Sequence, residues 1–294
     1  MADSAQKKPL RLFFPQWQGG DNPPYHFGAQ LLNWLAPDPT GPVEEVNVAE
    51  PTSEGLRNEQ GIVGRKALLA QLVDARAKID KHQPDSIVVI GGDCLVDLAP
   101  FAYLNERYDG ELAILWVDAH PDIMGPEQFE HAHAHVLGNL LGQGDSEFTA
   151  HVKQTVKASN VCYVGVNNTT EWETHEMERL GLKNISPAEL AEKGTQAVVD
   201  WFKSTGAKHL AVHLDLDVLD PATFRSLLFC KLDAEPHEFD GIARGQLTMQ
   251  QVVNVLSDVA KVADVVGLGV AEHLPWDAIA MKNMLANLPL LGNK

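Results

Sequence analysis

Three cysteines in 294 residues, Cys94, Cys162 and Cys230, are too few and of the wrong parity for a disulfide framework. No apolar run approaches the length needed to cross a bilayer. The opening stretch Met1-Ala-Asp-Ser-Ala-Gln-Lys-Lys holds no apolar signal core, so we expect residence in a reducing cytoplasm. Positive charge is also scarce. The 23 Lys and Arg face 40 Asp and Glu, and the formal net charge of −17 disfavours nucleic acid and anionic membrane while suiting a cationic small molecule. Neither an internal repeat nor a low-complexity linker is visible, and one domain over 1–294 is the simplest parse.

What is present is an apolar fraction of 45%, enough for a substantial core. Short β-branched or apolar runs alternate with longer helical patterns, the rhythm of βα units around a mostly parallel sheet. Expected strands are Leu10–Phe14, Val43–Val48, Ser86–Ile90, Leu112–Asp118, Val161–Val166, His209–Asp215 and Val265–Val270. Ser186-Pro187-Ala188-Glu189 and Thr248-Met249-Gln250-Gln251 carry capping signals of helix starts. Over Val63–Lys81, Leu68, Leu69, Leu72 and Ala75 form a helical stripe. Two segments read as loops: Trp17–Tyr25, and Thr223–Gly245, which we expect near the site.

Two apolar runs end abruptly in closely spaced metal-type ligands: Asp118-Ala-His120-Pro-Asp122, and Asp215-Leu-Asp217 followed by Asp220-Pro221. Alternate residues of an extended segment face the same side, so each cluster can present its ligands together. In open α/β sheets ligands sit beyond the carboxyl ends of strands, where both clusters fall. A lone Asp-x-Asp also serves as a turn or helix cap. A third polar strand end, Gly91-Gly92-Asp93-Cys94, shifts the balance towards a site. Four converging carboxylates would repel and take up protons unless cations held them, and two divalent ions balance that charge.

These motifs, with His135 and Glu272-His273-Leu274-Pro275, resemble the ureohydrolase family of arginases and agmatinases, from about Ser86 to Asp277. The resemblance implies a three-layer α/β/α sandwich and a binuclear manganese centre. It implies that Asp118 and Asp215 bridge the ions, that His120 and Asp217 complete one shell, and that Asp122 and the residue at position 94 complete the other. It further implies that His135 shuttles a proton and that Glu272 pairs bidentately with a planar guanidinium; the family often forms trimers or hexamers, and a homo-oligomer stays open for this chain. Hydrolysis of a guanidinium carbon needs a strong nucleophile at neutral pH, which a metal-bound hydroxide supplies.

The chain departs from the family at Cys94, where a histidine is expected. The thiol could ligate as thiolate and favour zinc or iron, ligate weakly and leave a single ion, or be a buried residue with no metal role. Cys at this position resembles enzymes acting on hydroxylated arginine. Near the arginase residue that holds the α-ammonium this chain has Thr170, which argues against plain arginine. Glu173 could receive an ammonium group or act as a first-turn helix acid. The expected function is hydrolysis of a linear guanidino compound (arginine-like, agmatine-like or N-hydroxyarginine) to urea or hydroxyurea plus an amine. An inert metal-binding sensor or scaffold and a metal-dependent amide deacetylase are the alternatives.

Overall fold

The computed structural model describes residues 7–290. The polar opening stretch, as far as residue 6, lies outside the described residues. Among the described residues there are ten strands: β1 (Pro9–Phe14), β2 (Val43–Glu45), β3 (Asn58–Glu59), β4 (Ile62–Val63), β5 (Ser86–Gly91), β6 (Leu112–Val117), β7 (Val161–Val164), β8 (Lys183–Ile185), β9 (His209–Asp215) and β10 (Asp264–Ala271). Eight build one sheet in the order β2-β1-β5-β10-β9-β6-β7-β8, while β3 and β4 pair as a small hairpin. Every pairing in the large sheet is parallel. A parallel sheet must be covered on both faces, which explains why β6 is apolar and buried at all six positions.

Alternation along the strands feeds two cores. Leu112, Ile114 and Trp116 of β6 pack with Leu10, Leu12, Ile87 and Val89 against the helices Arg65–His82 and Leu98–Arg107. Ala113, Leu115 and Val117 face the other way, against the helices Pro187–Lys193, Gln196–Thr205 and Met249–Val259. The result is the expected three-layer α/β/α sandwich. No helix among the described residues is long and apolar enough to cross a membrane.

Both capping expectations hold: Ser186 accepts from the Glu189 N–H, and Thr248 forms a reciprocal box with Gln251. Three boundaries differ from expectation by two residues or more. Strand β2 stops at Glu45 because, one residue after Val46 has paired with Phe13, the Asn47 N–H turns to Asp74 of the neighbouring helix. Strand β7 stops before Gly165, whose φ of +109° leaves the extended region. The helix expected from Val63 starts at Arg65, since Ile62 and Val63 are taken up by the hairpin.

Candidate metal centre and active site

Four adjacent strands, β5, β10, β9 and β6, carry their carboxyl ends to one edge of the sheet. There they deliver Asp93-Cys94, Glu272, Asp215-Asp217 and Asp118-His120-Asp122. The crossing of the chain at β5 demands Gly92: a Cβ there would lie 1.6 Å from the Gln16 carbonyl oxygen. Local hydrogen bonds then fold each acid back on its own turn. Asp118 Oδ1 accepts from His120 N at 2.7 Å, and Asp215 Oδ1 accepts from Asp217 N at 2.6 Å. Asp122 and Glu272 sit at φ of +49° and +63°, conformations rarely adopted by residues other than glycine. Such backbone is concentrated at functional sites because packing elsewhere must hold it.

Three overlapping groups of possible ligands result: Asp118, His120 and Asp217; Asp215, Asp217 and Glu272; and Cys94, Asp118, His213 and Asp215. His120 Nδ1 lies 2.9 Å from Asp217 Oδ2 and 3.6 Å from Asp118 Oδ1. Cys94 is buried, and its Sγ lies 2.9 Å from Asp215 Oδ2 and 3.5 Å from Glu272 Oε1. Asp122 is buried on the cavity wall with Oδ2 unpartnered, outside these groups.

Charge in the cluster is unbalanced. Burial, then repulsion from Asp217, pushes Asp215 well above the usual carboxylate range, and burial with Asp118 does the same to Asp122. Burial raises Glu272 to about 7. Burial opposes ionisation of Asp217 too, but the adjacent His120 overcomes it and holds that acid below its ordinary value. The Cys94 thiol is driven far upward by burial and by the surrounding acids. Oxygen-rich donors with an imidazole among them, in a cluster whose buried acids repel one another, fit hard or borderline divalent ions.

Beside the cluster opens a cavity of about 630 Å³, walled by Tyr25, His120, His133, Glu272 and Trp276. Both segments read as loops contribute to it, Asp21 from the first and Leu228, Lys231 and Ile242 from the second, while Tyr25, expected in the first loop, sits in the first turn of the helix Pro24–Leu35, which a proline opens. His135 is placed otherwise than its expected role requires. Its ring is buried away from the cavity wall, and its Nε2–H donates to the Phe129 carbonyl at 2.7 Å. The physical reason is the tight turn Ala132–His135, which puts His133 on the wall and turns His135 inward.

Thr170 and Glu173 also reach the cavity, yet they form the capping box of the helix Glu171–Leu180. The Thr170 N–H and hydroxyl both donate to Glu173 Oε2, at 2.7 and 2.8 Å. Glu173 is buried, contrary to its reading as a solvated first-turn acid. His131 and His133, readable in the sequence as either structural or chemical groups, both line the cavity, and two residues that the sequence did not mark also join the site, Tyr25 and His213. The last had a signal, since it precedes Asp215 by two residues on the same strand and therefore shares its face.

A parallel α/β sandwich with an acid and imidazole cluster at the strand ends is a donor arrangement suited to a metal ion. The Arginase family model matches residues 46–226, and the chain belongs to that family. The match stops short of Glu272, whose placement comes from the geometry alone. The arginase of Staphylococcus aureus strain MSSA476 is 23% identical over 192 residues, covering 61% of this chain and 60% of that protein. Arginase-1 of Sus scrofa is 26% identical over 245 residues, covering 78% and 66%. The chain thus spans about 60% of the length of the first of these relatives. Among solved structures, the Entamoeba histolytica arginase in complex with L-ornithine aligns at TM-score 0.76 and 18% identity, over 92% of this chain and 91% of that one.

Proposed function

We propose that this protein is an amidinohydrolase that splits a linear guanidino compound with water, giving urea or a substituted urea and an amine. The observation that carries the reading is the convergence of Asp118, His120, Asp215 and Asp217 beside a cavity walled by a buried glutamate. In this reading Asp118, His120, Asp122, Asp215 and Asp217 would hold two divalent ions, manganese by donor hardness. When bound, the ions would supply the Lewis acidity that makes water a nucleophile near neutral pH.

The chain's own groups do the rest. Glu272 takes the guanidinium bidentately, and that cation in turn favours the ionised form of an acid that burial would otherwise protonate. The His133 Nδ1–H donates to the Gly19 carbonyl at 3.0 Å, which leaves Nε2 as the nitrogen free to exchange a proton. Burial lowers its pKa, so the ring is neutral near pH 7, able to take a proton and pass it to the departing amine. Tyr25, Leu228 and Trp276 give the cavity wall apolar surface. Glu173, buried and with no cationic partner among the described residues, is the group we assign to a second positive charge on the substrate, with Thr170 fixing its carboxylate. An excess of acids over bases gives this cationic substrate a favourable field. One folding unit over 1–294 is part of the proposal, supported by a sheet whose strands run from Pro9 to Ala271. Manganese-loaded protein incubated with arginine, agmatine, guanidinobutyrate and N-hydroxyarginine should release urea or hydroxyurea from at least one. Silence across this panel refutes the proposal.

A further inference from the structure

At one level of the sheet, Trp116 of β6, His213 of β9 and Gly269 of β10 stand side by side, paired residue for residue. The His213 ring stacks on Trp116 with centroids 3.8 Å apart. On its other side Gly269 has no side chain, and the space is filled by Asp97 from the neighbouring short helical turn Cys94–Asp97. A Cβ on Gly269 would lie 1.9 Å from Asp97 Oδ2 and 2.1 Å from Oδ1. The His213 Nδ1–H donates to Asp97 Oδ2 at 2.7 Å, and both side chains are wholly buried. Asp97 therefore sets the tautomer and directs the lone pair of Nε2 to the other side.

There Nε2 has no hydrogen-bond partner. It faces Asp118 Oδ2 at 3.7 Å, which is too long for a hydrogen bond but within the span of two bonds of roughly 2.1 Å to a shared ion. Cys94 and Asp215 supply the remaining atoms of the same group. The Cys94 thiol is already engaged as a donor to Asp215. A fully buried imidazole whose rear N–H is held by a carboxylate and whose front nitrogen points at acidic oxygens is the usual arrangement of a metal-bound histidine.

We propose that His213, positioned by Asp97, is the imidazole ligand of the second ion, occupying the role that Cys94 leaves open. The assignment rests on the metal reading above and adds to it a ligand from a different strand. Gly269 makes the substitution possible by leaving room for Asp97. Asp97 is a positioning residue, acting on the ion only through the ring.

Metal-free protein, its His213→Gln, Cys94→Ser and Asp97→Asn forms, is dialysed against manganese and counted by elemental analysis. Two ions per chain are expected for the wild type and for Cys94→Ser, and one for His213→Gln. Asp97→Asn should keep two with the weaker site loosened roughly 10–100-fold. Two ions retained by His213→Gln, or loss confined to Cys94→Ser, overturns the assignment while leaving the metal reading intact. No ion on the wild type overturns both. Should the glutamine variant not fold, pulsed EPR of wild-type protein labelled with ¹⁵N-histidine decides. Two directly bound imidazole nitrogens support His213, and one refutes it.

Discussion

Replacing Gly269 by alanine tests the strand-to-ligand architecture without touching any acid of the cluster. The residue lies in β10, between β5 and β9, so its backbone cannot yield sideways. The added methyl would meet the Asp97 carboxylate carbon at 2.3 Å and its oxygens closer still, which forces Asp97 away from His213. Overpacking of a tight core costs about 1–3 kcal/mol. Loss of a charge-assisted hydrogen bond adds roughly 1.5–3 kcal/mol, while removing a glycine from a strand returns about 0.5–1 kcal/mol. The net destabilisation is thus about 1.5–5.5 kcal/mol, measurable by urea unfolding of the metal-free protein. Shortening the obstructing acid in the Asp97→Ala, Gly269→Ala double variant removes the clash, so the two changes should couple by about 1 kcal/mol or more. A Gly269→Ala protein within about 0.5 kcal/mol of wild type, or a strictly additive cycle, refutes the packing argument.

Acidity gives a second test. Glu272, held near 7 by burial, and Asp93, held near 6, both have folded pKa values above their ordinary ones. Stability of the metal-free protein is then full below the ordinary carboxylate range and is lost as pH rises through 6 to 7. Thermal unfolding in chelator should therefore occur at lower temperature near about pH 8 than near about pH 5.5, with added manganese narrowing or reversing the gap; a metal-free protein more stable at the higher pH contradicts the assignment. His133→Asn should lower kcat by roughly 10²–10⁴-fold while His135→Asn leaves it within about tenfold; equal losses would mean that the cavity geometry does not choose the proton carrier. Glu272→Gln should weaken substrate capture in kcat/KM by roughly 10–100-fold, and unchanged kcat/KM would remove it from guanidinium binding.

Much of the fold was legible because a parallel sheet imposes long apolar runs. Leu112–Val117 and His209–Asp215 announce themselves, and the acids that follow them mark where the chain leaves the core. Strand β8, only Lys183–Ile185 at the sheet edge, has too few apolar positions to be seen. The acids of the site were readable from spacing, since each follows its own strand directly. The histidines were harder. Three alternate between His131 and His135, and only the turn at Ala132–His135 decides which of them meets the cavity. Tyr25 reaches the site from the first turn of the helix Pro24–Leu35, distant in sequence, and Asp97, His213 and Gly269 come from three different elements. Their relation exists only in the register of β9 with β10, which no local pattern reveals.

Anomalous diffraction from manganese-loaded crystals bears most directly on the central claim. Two peaks are predicted at the carboxyl ends of β6 and β9, both in contact with Asp118 and Asp215, with His120 on one and His213 on the other. A map with no peak between Asp118 and Asp215, taken from protein that has been saturated with the metal, contradicts the account.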